Sequence, residues 1–64
     1  MNRIRAIRVE RNLSQKELAE KVGLSQVNVS RYEKGQRKLE IQTAARIAEA
    51  LGCTVDELIT KETA

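Results

Sequence analysis

The sequence holds no histidine, proline, tryptophan or phenylalanine, and only one cysteine, one tyrosine and three glycines in 64 residues. Each shortage closes something off. Without histidine the chain has neither a histidine general base nor a His-containing zinc site. A lone Cys53 excludes an internal disulfide framework and suits a reducing compartment. No uncharged stretch is long enough to span a bilayer, and Met1–Arg5 is charged with no apolar run behind it. Neither a membrane span nor a signal peptide is therefore expected. The expectation is a small cytoplasmic domain without cofactor or metal, covering residues 1–60 and followed by a polar tail at 61–64.

What is present is aliphatic and charged. Five Ile, six Leu and five Val supply a modest core, with one tyrosine as its only aromatic. A domain of this size buries about 60% of its unfolded surface, so marginal stability is expected unless a partner subunit adds burial. The net charge of +3 hides a split. Residues 1–38 carry ten basic and four acidic side chains, a net of +6, whereas residues 39–64 carry two against five, a net of −3. A polyanion is expected to meet the first part. A highly charged solvated surface fits the same numbers, so charge needs a motif beside it.

The punctuation suits helices throughout. Gly23, Gly35 and Gly52 each follow an amphipathic stretch, where a helix end favours a residue comfortable at positive φ. Ser14-Gln15-Lys16-Glu17 and Thr54-Val55-Asp56-Glu57 are capping boxes. Ile4, Ile7 and Arg11 share one stripe of a first helix near 2–11, and Leu18, Ala19 and Val22 mark a second near 15–22. Ser25 caps a third near 26–34. Ala44, Ala45, Ile47, Ala48 and Leu51 mark a fourth near 41–51, and Val55, Leu58 and Ile59 a fifth near 55–60. Val27-Asn28-Val29 alternates, but three residues between helix signals make no strand. Cys53 reads as a small hydrophobe.

The informative segment runs from Gln15 to Gly35. Its two helices interlock around Gly23-Leu24-Ser25, with Val29 and Tyr32 facing inward from the second one. At 100° per residue, Gln26, Val27, Ser30, Arg31 and Lys34 gather on the opposite face. That face holds no acid. Gln can pair with adenine, Arg with guanine, and Val can touch a thymine methyl. The loop Gln36-Arg37-Lys38 suits phosphates.

This segment resembles the helix-turn-helix of the phage-repressor (Cro/repressor, or Xre-type) DNA-binding family. The resemblance extends to Ile4–Arg8 before Leu13-Ser14-Gln15, and to Ile47–Gly52 before Val55–Leu58. It implies an all-α, lambda-repressor-like bundle of about five short helices, with the second and third forming the helix-turn-helix. It also implies that Gln26, Val27 and Arg31 read bases, with Asn28 on the flank, and that Gln15, Ser25, Lys34, Arg37 and Lys38 contact phosphates. Arg8 and Glu33 match a pair that forms a partly buried salt bridge in some members. Where the family often has Pro then Ser before the fourth helix, this chain has Leu39 and Glu40, so that helix lacks its usual cap.

Blander readings stand beside these. Val27 also fits an ordinary exposed aliphatic, and Arg37 and Lys38 a solvated turn. Arg8 and Glu33 also fit two unrelated surface charges. The expected function is a sequence-specific duplex-DNA-binding regulator, not an enzyme. It would act as a repressor and homodimer on an inverted repeat, with helix 26–34 in the major groove. Leu39, Ile41, Val55, Leu58 and Ile59 are candidate subunit contacts. An antitoxin-like module that binds a partner protein and a transcriptional activator are the alternatives.

Overall fold

In a computed structural model that describes residues 2–59, the chain forms helices α1 (Ile4–Glu10), α2 (Gln15–Val22), α3 (Gln26–Glu33), α4 (Ile41–Leu51) and α5 (Val55–Leu58). The expected tail at 61–64 lies outside the described residues. Among the described residues there is no strand, only an isolated antiparallel bridge between Asn2 and Ile59.

Local chemistry accounts for the boundaries. Ser14 and Thr54 each accept a hydrogen bond from the backbone N–H three residues on, while Glu17 and Glu57 reach back to the capping residues' own N–H groups. Both carboxyls are held below the usual carboxylate range, first by the backbone bond and then by the hydroxyl. The Ser25 hydroxyl accepts from the Asn28 N–H at 3.1 Å and opens α3. Glu40 stands at the start of α4 with no side-chain cap, as the missing Ser implied.

Four helices end in the same way. Asn12, Gly23, Gly35 and Gly52 all take left-handed backbone, with φ of 58°, 72°, 72° and 71°. The residue after each donates its N–H to a carbonyl five positions back: Leu13 to Arg8, Leu24 to Ala19, Gln36 to Arg31 and Cys53 to Ala48. This Schellman geometry satisfies carbonyls that a helix end otherwise leaves orphaned. Leu13, Leu24 and Cys53 then pack against the core. At Gly23 the left-handed backbone is what favours glycine; a Cβ there would meet only an Arg46 guanidinium nitrogen at an ordinary 3.4 Å.

The core takes Ile4 and Ile7 from α1, Leu18, Ala19 and Val22 from α2, and Val29 and Tyr32 from α3. Ala44, Ile47, Ala48 and Leu51 of α4 and Leu58 of α5 complete it. α2 packs most extensively on α3 and α4, with small Ala19 buried in α2. Several expectations need correction. Ala45 is exposed, because α4 buries the Ala44, Ile47, Ala48 and Leu51 stripe and Ala45 falls one position outside it. Arg11 is exposed rather than on the inward stripe, and its Nε donates to the Leu51 carbonyl at the end of α4, 3.0 Å away. Leu58 is not a subunit contact: it is fully buried, since the single turn of α5 puts this side chain into the core. Ile59 lies beyond α5, in extended backbone against Asn2.

Candidate nucleic-acid interface

α3 contributes two side chains, Val29 and Tyr32, to the core, and its other side is open. On that side Gln26, Val27, Ser30, Arg31 and Lys34 line a shallow depression of about 370 Å³, closed at its rims by Gln15 of α2 and Gln36 of the following loop. The lining therefore offers three amides, two cations, a hydroxyl and one aliphatic, and no acid. Val27 is 59% exposed and brings an aliphatic contact to an otherwise polar lining.

The one acid of α3 is turned away from this surface. Glu33 Oε2 accepts from Arg8 Nε at 2.6 Å, with 3% of the Glu33 side chain and 11% of the Arg8 side chain exposed. Arg8 also donates to the Leu13 carbonyl at 2.7 Å and to Glu33 Oε1 at 3.3 Å. Gln15 donates its amide to Glu33 Oε1 at 3.0 Å. The salt bridge thus has a third member that reaches the depression: one N–H of the Gln15 amide is fixed on Glu33, and Gln15 itself is part of the lining. No buried polar side-chain atom among the described residues lacks a hydrogen-bond partner.

The remaining predicted residues fall in different places. Asn28 is half-buried and Ser25 is exposed, and neither lines the depression; the Ser25 hydroxyl serves the α3 cap. Lys38 is exposed outside the lining. Arg37 is exposed too, but its Nε donates to the Tyr32 hydroxyl at 3.2 Å and its guanidinium lies 5.8 Å from that ring's centroid. This contact ties the loop to α3. Gln36, expected only as part of a phosphate-suited loop, lines the depression itself. Of the four residues that follow a left-handed helix exit, three are apolar plugs and Gln36 alone is polar and exposed, a signal present in the sequence.

Among the described residues no helix is long and apolar enough to cross a membrane, and no three His, Cys, Asp or Glu side chains are grouped to hold a metal ion. Cys53 is half-buried, and burial pushes its thiol pKa up, opposite to what a reactive thiolate needs.

Two short helices around a left-handed glycine, with a basic acid-free face on the second, define a helix-turn-helix protein. The pattern of a helix-turn-helix family matches residues 4–58. The chain belongs to the phage-repressor (Xre-type) helix-turn-helix family, whose members are DNA-binding transcription regulators and not enzymes. It is 34% identical over 58 residues to the cryptic phage CTXphi transcriptional repressor RstR of Vibrio cholerae, covering 91% of this chain and 52% of that one. It is 39% identical over 61 residues to the immunity repressor protein of Bacillus phage phi105, covering 95% of this chain and 42% of that protein. The chain thus spans about half the length of these relatives. Among solved structures, the restriction-modification controller protein C.AhdI of Aeromonas hydrophila superposes with a TM-score of 0.85 at 35% identity, over 89% of this chain and 86% of that one. The P22 c2 repressor in complex with a synthetic operator gives 0.83 at 30% identity, over 94% and 91%. The all-α, repressor-like fold expected from sequence is the fold observed.

Proposed function

We propose that this domain binds duplex DNA sequence-specifically and acts as a transcriptional repressor in the cytoplasm, with α3 in the major groove. The observation that carries the reading is the acid-free lining formed by Gln26, Val27, Ser30, Arg31 and Lys34, with the only acid of α3 neutralised behind it by Arg8. In this reading Arg31 pairs with guanine, Gln26 with adenine, and Val27 meets a thymine methyl, with Asn28 on the flank. Gln15, Ser25, Lys34, Gln36, Arg37 and Lys38 hold the phosphates on either side. The relatives named as repressors support repression. A two-fold dimer would set two such helices about 34 Å apart on an inverted repeat. Ile41, 67% exposed, and Ile59 are the subunit contacts best placed for it, with half-buried Leu39 and Val55 beside them.

Selection of bound sequences from a random duplex pool tests this directly. The expected product is an inverted repeat. On that operator Arg31→Ala costs about 1–3 kcal/mol and relaxes one base position, while Lys38→Ala weakens all sequences alike and lowers the salt slope by about 1. Uniform loss of affinity across sequences for both variants would remove Arg31 from base reading.

A further inference from the structure

We propose that Asn2 is a positioning residue for the recognition helix, a role that rests on the DNA-binding reading above. Its half-buried amide makes one local bond and one to a distant part of the fold. Nδ2 donates to the Tyr32 carbonyl at 2.8 Å, thirty residues away, and Oδ1 accepts from the Ile4 N–H at 3.1 Å. Since the first partner only accepts and the second only donates, a single orientation of the amide satisfies both. One side chain thereby closes the start of α1 and the end of α3. The segment that carries it is itself fixed, because Asn2 bridges Ile59 and the Arg3 N–H donates to the Leu58 carbonyl at 2.7 Å.

The anchored carbonyl sits where it can affect the site. Tyr32 lies between Arg31 and Lys34, and its carbonyl also accepts from the Gly35 N–H at 3.2 Å in the turn that presents Gln36. α3 has eight residues and two buried ones, and its outward face has nothing to pack on. Beside its packing on α2, two polar contacts fix its C-terminal end. Glu33 holds it through a side chain tied to Arg8 and Gln15, and Asn2 holds it through the backbone. The chemistry requires asparagine here. Aspartate keeps the acceptor for Ile4 and loses the donor for Tyr32, and serine keeps a capping hydroxyl without the reach.

The test compares wild type, Asn2→Ser, Asn2→Asp and a control, Asn12→Ala, which disturbs the α1 exit without touching α3. Two quantities are read at a temperature where all are folded: amide hydrogen exchange of Gly35 and Gln36 in the free protein, and affinity for the selected operator. The expected result is faster exchange at both amides and about three- to tenfold weaker binding in Asn2→Ser, the equivalent of one lost hydrogen bond. Asn2→Asp shows the same faster exchange, and Asn12→Ala leaves both readouts at wild-type values. Unchanged exchange in Asn2→Ser overturns the anchor whatever the DNA result. So does unchanged affinity beside a wild type that binds, or an equal effect in the control. A wild type that binds no duplex overturns the proposed function instead, and with it the anchor's part in binding.

Discussion

At Glu33 a carboxylate with only 3% of its side chain exposed accepts from both Arg8 and Gln15, so three helices meet on one pair of oxygens. Removing one member of a buried pair leaves the other charge uncompensated, at a cost of about 3–5 kcal/mol, against about 0–1 for an exposed pair. A domain below about 70 residues rarely has more than 3–5 kcal/mol in total. Glu33→Gln should therefore leave the free domain largely unfolded at room temperature, read as loss of the cooperative melt by circular dichroism. A melting temperature like that of wild type would show the pair to be worth no more than a surface contact. Asn12 is a smaller case. It is the one non-glycine residue at positive φ among those described, and Asn12→Ala should cost about 1 kcal/mol, a fall in Tm of about 4–8 °C.

The two capping boxes make stability depend on acid. Glu17 and Glu57 have folded-state pKa values lowered from 4.5 by the backbone and hydroxyl bonds of Ser14 and Thr54. A depressed carboxyl pKa means that the unfolded chain binds the proton first as pH falls. The stabilisation is thus complete above 4.5 and is lost as pH drops through the lowered values. Melts taken across that window should show a flatter acid limb for the double variant Glu17→Gln, Glu57→Gln, since Gln retains the box without titrating. These elements were legible from sequence because their signals are local. Ser-x-x-Glu, glycine after an apolar stripe, and the 100° spacing of Gln26, Val27, Ser30, Arg31 and Lys34 all act within one or two turns. What escaped was long-range. The Asn2 amide on Tyr32 and Arg11 on Leu51 are set by tertiary approach, and no spacing encodes them. Leu58 was misplaced because a four-residue helix offers too little periodicity to tell its inner side from its outer one.

Across the whole molecule the net of +6 over residues 1–38 is spread unevenly: Arg8, Arg11 and Arg37 make side-chain bonds within the fold, and the lining of the depression itself holds two cations, Arg31 and Lys34. The proposed dimer predicts that sedimentation mass rises with concentration and that Ile41→Asp remains monomeric. Because Ile41 is 67% exposed in the single subunit, the variant should melt like wild type at concentrations where both are monomeric and lower where wild type dimerises, and its affinity for an inverted repeat should fall. A concentration-independent monomer that binds a single half-site would displace that assembly. Tyr32 brings a separate consequence. It is the chain's single aromatic residue, there is no tryptophan beside it, and it is buried in α3 with its carbonyl held by Asn2 and its hydroxyl by Arg37. The domain therefore carries one intrinsic fluorophore, placed in α3 itself. Tyrosine emission and near-ultraviolet dichroism of the free protein report on that helix alone, so a loosened α3 is visible optically, without any label, even where the rest of the bundle stays folded.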